Sequence, residues 1–447
     1  MKITHLNGAC ELIESNGIKI LIDPWLVDGE YYGSWCAYPS LKDFNFNILN
    51  NVDYIYISHI HPDHLSKPTL KKLNKDIPVL IHNFSEKFVK RNIESLGFKT
   101  IELDSNKKTL LKNNTYIDIF SAGYCNPELC HKSFGCGKME TNYTSTTIDT
   151  LCVISNENYN ILNVNDCPYS VAKYAIKEVL NKYNNINFLM TGYTGASAYP
   201  QCFDNYSNKE KIEKAQGQKD YYFKSGLSFI NDVKPEYFMP MAGTYVLGGN
   251  LVEIEKYRAV NDIYDTYLKY NELSNSKGIL LNLNESFDLI SKKQSKPYKH
   301  FDPIEKENYL NKVLSLRKYS FEYDEEPNIK ELTDLSFRAY NRFNDKRKEL
   351  KLKSDTNIYI FLNKEYAFKF PFNDKKPEII KPNKITDKSY VYFKTNPKLL
   401  KRLFPSSARL TKTTLGFLPS HSFFLNDCLP TIILNCSNIV DCGFDEL

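Results

Sequence analysis

Three histidines and an aspartate lie within six positions of this sequence, at His59, His61, Asp63 and His64. The chain has only eight histidines, so this loop is strongly enriched in them. Neutral imidazoles and a carboxylate are the donor set that zinc and iron prefer in proteins. A polar loop whose histidines cap a helix or face solvent is the simpler alternative. It does not explain why an apolar run, residues 54–57, leads directly into four ligand-type side chains. The sequence therefore predicts a metal site here.

The elements around this loop follow from the hydrophobic pattern. Residues 54–57 predict a buried strand, and the alternating runs 3–13 and 18–22, joined at Asn16 and Gly17, predict a two-residue hairpin. Asp23 ends that hairpin and is either a hydrogen-bonding support for the histidine loop or an ordinary turn residue. Further strands alternate with helical segments up to about residue 290. This order predicts an α/β domain of layered mixed sheets.

Composition bounds the class of protein. At 447 residues the chain is long enough for two or more domains, and 42% hydrophobic and 25% charged residues are ordinary for a globular protein. A net charge of +5 gives no case for nucleic acid. No apolar stretch is long enough to span a bilayer, and the first residues lack a secretory signal. The eleven scattered cysteines predict free thiols in a reducing compartment, and hence a cytoplasmic protein.

The pattern changes after residue 290. The basic stretch 292–299, which contains Pro297, predicts a linker. Residues 304–340 are helical in pattern, and a hairpin follows around 363–365. We therefore expect one domain over residues 1–290 and an accessory α+β domain over residues 300–447.

The histidine loop resembles the His-x-His-x-Asp-His signature of the metallo-β-lactamase fold superfamily. Four further stretches are similar to motifs of the CMP-N-acetylneuraminate hydroxylase family and occur in that family's order: 22–27 (IDPWLV), 163–167 (NVNDC), 195–200 (GASAYP) and 240–243 (PMAG). The similarity covers roughly residues 1–290. It implies a metallo-β-lactamase-like αββα sandwich for this part of the chain.

The resemblance also assigns roles. It implies that His59 and His61 hold a first metal, that His64 and Asp63 hold a second, and that Asp166 bridges the two. Asp63 is in addition the predicted catalytic residue, because it would orient the attacking hydroxide. The implied cofactor is a pair of divalent ions, zinc or iron.

A third ligand of the first metal is expected where the family has a histidine, and here Cys125 stands in that place. A thiolate is a competent, softer ligand, so Cys125 can serve directly. Alternatively His131, in an apparent insertion, folds back onto the metal. Loss of the ligand, leaving a one-metal or degenerate site, is the third possibility.

Two loops rich in small residues follow predicted strands. Gly195 and Ser197 come after the strand predicted at 188–192, and Gly243 and Tyr245 after that at 238–242. Small residues at strand ends let a ligand approach the backbone, although tight packing turns give the same pattern. We predict that these four residues bind substrate.

Together these observations predict a metal-dependent hydrolase acting on an activated or acylated sugar, with a role in glycan synthesis. Members of the family resembled hydroxylate the N-acetyl group of a CMP-linked sialic acid and carry a Rieske module, which needs paired Cys and His ligands. This sequence contains no such pair. An iron-dependent sugar-nucleotide hydroxylase with a separate electron-donor partner is therefore the enzymatic alternative. A non-catalytic sugar-binding or scaffold protein with a decayed metal site is the other.

Overall fold

The structure is a computed structural model, and it describes residues 1–84, 87–121, 149–349, 356–372, 375–387, 390–406 and 433–437. Cys125 and His131, the two candidates for the third ligand, lie outside the described residues. Within the part described, no helix combines the length and the apolar character that a bilayer crossing needs.

Two mixed sheets form the centre of the N-terminal region. The strands of the first sheet are β1 (Lys2–Asn7), β2 (Cys10–Ser15), β3 (Ile18–Ile22), β5 (Tyr54–Ile57), β6 (Val79–His82), β7 (Thr100–Leu103), β16 (Ser286–Asp288) and β17 (Lys293–Gln294). Their order across the sheet is β17-β16-β1-β2-β3-β5-β6-β7. The strands of the second sheet are β8 (Thr109–Leu110), β9 (Tyr116–Ser121), β10 (Thr150–Ser155), β11 (Asn160–Asn163), β12 (Phe188–Gly192), β13 (Tyr237–Met241) and β15 (Lys277–Gly278). Their order across the sheet is β15-β13-β12-β11-β10-β9-β8. A separate short ladder pairs β4 (Trp35–Ala37) with β14 (Tyr245–Leu247).

The two large sheets pack face to face, and helices cover their outer faces. Ile20 and Tyr56 of the first sheet share one buried cluster with Ile154 and Met190 of the second. Outside the first sheet lie α1 (Lys67–Leu70) and α2 (Phe88–Glu94); outside the second lie α3 (Tyr169–Lys182), α4 (Asn208–Val233) and α5 (Ile263–Leu273). Burying one apolar face of each sheet and the stripe of each helix produces this four-layer order. The predicted αββα sandwich is confirmed.

The C-terminal region is an α+β unit. Its sheet has the order β20-β19-β18-β21-β22, and its elements are α6 (Pro303–Lys312), α7 (Ile329–Glu349), β18 (Asn357–Phe361), β19 (Ala367–Phe370), β20 (Glu378–Ile380), β21 (Tyr390–Lys394), α8 (Pro397–Ser406) and β22 (Ile433–Ser437). Leu399 and Leu403 of α8 pack into the cluster that holds Trp35. The C-terminal region thus contributes to the packing beside the N-terminal sheets.

Three details of the predicted elements are wrong. The run 3–13 is two strands, because Gly8 takes a left-handed φ of 56° between them. The stretch 292–299 is not simply a linker, since Lys293 and Gln294 form the edge strand β17 against β16. The helical stretch 304–340 divides into α6, two 3-10 turns (Leu314–Leu316 and Ser320–Tyr323) and α7. The boundary near residue 290 stays a prediction.

Candidate metal centre

The histidine loop leaves the end of β5, which lies between β3 and β6 and parallel to both. His59 Nε2 is 2.7 Å from His61 Nδ1. The rings of His59 and His64 have centroids 4.1 Å apart. His59 and His64 are buried, and His61 is half-buried. The three predicted imidazole ligands therefore converge at one strand end.

Asp23 fixes this loop. Its carboxylate accepts hydrogen bonds from the Ser58 backbone N–H (2.8 Å), the Ser58 hydroxyl (2.7 Å), His64 Nδ1 (2.9 Å) and Asn165 Nδ2 (2.9 Å). The supporting role predicted as one of two alternatives for Asp23 is confirmed. Because Nδ1 of His64 is engaged by Asp23, its Nε2 is the nitrogen left for the site. A carboxylate behind an imidazole is the usual way in which proteins orient a histidine ligand.

Two predicted carboxylates approach His64 from the other side. Asp166 Oδ2 lies 3.1 Å from His64 Nε2, and Asp63 Oδ2 lies 3.5 Å from the same nitrogen. The other oxygen of Asp63 accepts a 3.0 Å hydrogen bond from the Tyr31 hydroxyl. Sequence reasoning did not find Tyr31, because nothing in the irregular stretch 28–50 distinguishes this tyrosine from its neighbours.

Asp149 is a further buried carboxylate at the centre, and sequence reasoning missed it. Its Oδ1 lies 3.6 Å from His59 Nε2. The side chain of the next residue, Thr150, links the two sheets. Its hydroxyl donates to the Ser58 carbonyl (2.9 Å) and lies 2.7 Å from the Tyr56 hydroxyl. Asp149 stands directly before β10, which begins at Thr150. A carboxylate immediately before a buried strand was the available signal.

These donors form two groups. His59, His64 and Asp166 make one, and His59, His61 and Asp149 make the other; within each group the ligand atoms all lie within 4.8 Å of one another. Among the described residues the two groups share His59. These overlapping groups are the candidate donors for a divalent metal ion.

The two buried histidines are held in different protonation states. Burial, with help from the neighbouring imidazoles, lowers the pKa of His59 well below its usual range, so its ring is neutral. Burial also opposes a charge on His64, but the surrounding carboxylates outweigh it and hold the pKa of His64 well above its usual range; they are Asp166, Asp63 and Asp23.

The carboxylates respond to the same environment. Burial raises the pKa of Asp149 to about 7, against the lowering effect of His61. Burial acts in the same direction on Asp166, but His64 outweighs it and lowers the pKa of Asp166.

The donor set fits divalent ions. Several carboxylates are gathered around three imidazoles in a largely buried space, and a proton on His64 compensates part of their charge. A divalent cation supplies that positive charge directly and uses the same lone pairs. His59 and His61 would hold one ion with Asp149, and His64 and Asp166 would hold the other.

The predicted substrate loops lie against one another. A Cβ at Gly243, where φ is 72°, would overlap the Thr194 methyl group. A Cβ at Gly195 would overlap the ring of Tyr222. Burial, with smaller contributions from neighbouring tyrosines and Asp166, raises the pKa of Tyr222. The Ser197 hydroxyl accepts from the Tyr199 backbone N–H (3.0 Å). Their contact with substrate stays a prediction.

Tyr245 has a different environment from the one a sugar-stacking residue needs. Its ring stacks on Trp35, with centroids 3.6 Å apart, and the Arg258 guanidinium lies 3.8 Å from its centroid. Both ring faces are therefore covered. Trp35 in turn contacts Tyr31 (4.3 Å between centroids), so this stack leads to Asp63.

Known proteins resemble part of this chain. Residues 2–154 match the family model of a beta-lactamase superfamily domain. A Mycolicibacterium smegmatis protein named as a Rieske 2Fe-2S iron–sulfur protein is 28% identical over 54% of this chain and 43% of its own length. Cytidine monophosphate-N-acetylneuraminic acid hydroxylase of Cricetulus griseus is 26% identical over 55% of this chain and 40% of its own. The chain thus spans less than half of the curated relatives it matches.

Solved structures give weak similarities. Isothiocyanate hydrolase from Delia radicum gut bacteria has a TM-score of 0.42 at 15% identity, over 64% of this chain and 99% of its own. CmlA, a diiron β-hydroxylase from Streptomyces venezuelae, has a TM-score of 0.41 at 12% identity, over 64% of this chain and 53% of its own. Similarity at this level does not bear on the reaction. The family model is similar to residues 2–154, and the sheets and helices of the N-terminal region form the αββα sandwich of the metallo-β-lactamase fold.

Proposed function

We propose that this protein is a two-metal hydrolase that cleaves an ester or amide of an activated or acylated sugar. The observation that carries the proposal is the pair of donor groups that share His59. When bound, two adjacent divalent ions lower the pKa of a water to about 7 and polarise the substrate oxygen.

The chain's own residues supply the remaining functions. The Tyr31 hydroxyl fixes one oxygen of Asp63, so the other oxygen points toward His64 and can orient the attacking water. Asp23 holds the His64 ring in place. Preorganised groups of this kind act without reorganising during the reaction. Asp63 therefore serves as the orienting and proton-accepting residue of the proposal.

The substrate class comes from the relatives. The relatives include hydroxylases of cytidine monophosphate-N-acetylneuraminic acid, an acylated sugar nucleotide. Our chain matches their sequences over about half of its own length, and the candidate metal centre lies in the region with the family motifs. We therefore extend an anionic, acylated sugar to this chain, with glycan synthesis as the process and the cytoplasm as the site.

Asp149 favours a second candidate, an iron-dependent sugar-nucleotide hydroxylase. Two histidines and one carboxylate are the donor set of many non-haem iron oxygenases, and His59, His61 and Asp149 form such a set. Zinc hydrolases also use two histidines and a carboxylate, so the donors admit both metals. The oxygenase would need a separate electron donor.

Metal content decides between these candidates. We would measure it by elemental analysis in the wild-type protein and in His61→Ala and Asp166→Ala. About two equivalents of zinc, reduced in both variants, together with acid release from sugar esters or amides, would support the hydrolase. Iron with oxygen consumption on CMP-sugars and a reductant would favour the hydroxylase.

The control is Asp118→Asn. Asp118 is buried in the second sheet, is paired with Lys182 (2.6 Å) and belongs to neither donor group. It should keep its metal. If the wild-type protein takes up no metal even after zinc or iron is added back, both enzyme candidates are wrong and the non-catalytic scaffold is left.

A further inference from the structure

A surface pocket lies beside the chain segment that carries Tyr31. Its volume is about 700 Å³, which is within the usual range for small-molecule sites. It is lined by Gly29, Gly33, Leu316, Arg317, Lys318, Ser320 and Tyr323. None of the motifs discussed above includes its side chains.

The pocket is positively charged. Arg317 and Lys318 line it, and its described lining contains no carboxylate. In the described ranges, neither cation has a carboxylate oxygen within ion-pair distance. The Arg317 charge acts on the nearby Asp28 carboxyl, but the two groups form no ion pair in the described ranges. Two cations on one concave wall favour an anionic ligand.

Arg317 is held in position by the backbone around it. Its Nη2 donates to the Asp28 carbonyl (3.1 Å). A Cβ at Gly29, where φ is 106°, would overlap the guanidinium, and a Cβ at Gly248 would lie 3.2 Å from Arg317 Cδ. Two glycines thus make room for this side chain. A guanidinium held in this way presents its planar fork with little entropy left to lose on binding.

The pocket also has an apolar part. Leu316 is 78% exposed and Tyr323 is 75% exposed, and both line it. An aromatic ring open to solvent beside two cations can stack on a planar group of a ligand. The Ser320 hydroxyl on the same wall accepts a hydrogen bond from Arg402 Nη1 (2.9 Å) and keeps its own proton to donate.

We propose that this pocket binds a small phosphate ester with a planar organic group, of the nucleoside monophosphate type. Arg317 and Lys318 would contact the phosphate, since a guanidinium fork matches phosphate oxygens and an ammonium adds a point charge. Tyr323 and Leu316 would contact the planar group. The concave shape and the volume favour a small molecule over a protein partner.

The pocket and the metal centre lie on two sides of one turn. Gly29 and Gly33 belong to the pocket wall, while Tyr31 between them bonds Asp63. Trp35 pairs with this turn, because the Gly29 N–H donates to its carbonyl (2.9 Å). The two tryptophans of the chain, Trp25 and Trp35, are both buried in the cluster that also holds Tyr31, so ligand binding is expected to change their fluorescence.

The test is calorimetric titration of the metal-free full chain with cytidine and adenosine monophosphates, with the corresponding nucleosides, and with inorganic phosphate. We expect the monophosphates to bind at least 10-fold more tightly than either the nucleosides or phosphate alone. Arg317→Gln should weaken this binding about 10-fold or more, and Lys318→Gln about 3-fold, as expected for lost charge-assisted contacts. Tryptophan fluorescence should report the same dissociation constants.

Two controls separate the alternatives. Lys312→Gln removes an exposed lysine of α6 outside the pocket and should bind like the wild type. His61→Ala, which impairs the proposed metal site, should also bind normally, so the two proposals fail independently. Equal binding of phosphate and monophosphates, no binding at all, or binding that Lys318→Gln and Arg317→Gln leave unchanged would overturn this proposal.

Discussion

At the scale of single residues, Asp149 changes the character of the centre. It adds a buried carboxylate beside His59. For the third ligand of this metal the family pattern expects a histidine, at the position where this chain has Cys125. A carboxylate is a harder donor than an imidazole or a thiolate and suits iron as well as zinc.

We predict that Asp149→Ala loses about one equivalent of metal. It should also lower metal affinity about 100-fold or more, because replacing a residue that only supports a ligand already costs about 10- to 100-fold. Elemental analysis and a competition titration with a chromophoric chelator measure both quantities. Cys125→Ala is the informative comparison. Retention of both ions by Asp149→Ala, combined with a loss in Cys125→Ala, would show that the sulfur and not the carboxylate is the third ligand.

At the scale of elements, the turn over residues 29–33 is conformationally unusual. Gly29, Tyr31, Tyr32 and Gly33 all have positive φ, at 106°, 50°, 64° and 103°. Two aromatic residues in the left-handed region cost on the order of 1–3 kcal/mol each, and such strain is concentrated at functional sites. The turn is kept by its contacts: Tyr31 bonds Asp63, and Ser66 donates to Glu30 (2.5 Å).

Glu30 makes the stability of this turn depend on pH. Burial raises its pKa to about 8, from 4.5 in an exposed glutamate. Between these two pH values the carboxyl is ionised in the unfolded chain and protonated in the folded one. The free energy of unfolding should therefore fall as pH rises through this window and level off above it. Glu30→Gln removes this loss. The variant should gain on the order of 3 kcal/mol over wild type between pH 5 and pH 8.

Urea unfolding at pH 5, 6, 7 and 8 measures this difference. Glu253→Gln, a substitution of an exposed glutamate, is the matched control. A constant difference between Glu30→Gln and wild type across the four pH values would mean that Glu30 is ionised in the folded protein.

At the scale of the whole molecule, metal binding and folding are linked, because the centre exists only when both sheets are in place. Any ion that binds the folded chain alone stabilises it, by about 2.7 kcal/mol at a free concentration of 100 Kd. We predict that chelation lowers the melting temperature by several degrees, since 1 kcal/mol corresponds to about 2–4 °C in a domain of this size. Calorimetry with and without chelator measures the shift. The same chelator should leave His59→Ala, which lacks the shared ligand, almost unaffected.

The sequence predicted the elements of this molecule better than the contacts between them. The apolar run of β5 and the hairpin at Asn16 and Gly17 depend on local pattern, and both are present in the structure. The histidine loop was found for the same reason. Asp149 and Tyr31 were missed because their roles arise from packing between segments far apart in the sequence. The division of 304–340 had a signal in the sequence, Pro327, which lies two residues before α7 and disfavours a continuous helix. The prediction did not use it.

The contacts that assemble the centre also determine when in folding it forms. Thr150 and Ser58 are 92 residues apart, His64 and Asp166 are 102 apart, and Asp23 and Asn165 are 142 apart. Closing such long loops costs chain entropy before the stabilising contacts have formed, so long-range pairings form slowly. The metal site therefore matures only as the two sheets dock, and a nascent chain offers an ion just the local His-x-His-x-Asp-His segment. Metal uptake during refolding should accordingly follow the slow docking phase and not the fast formation of the β2–β3 hairpin.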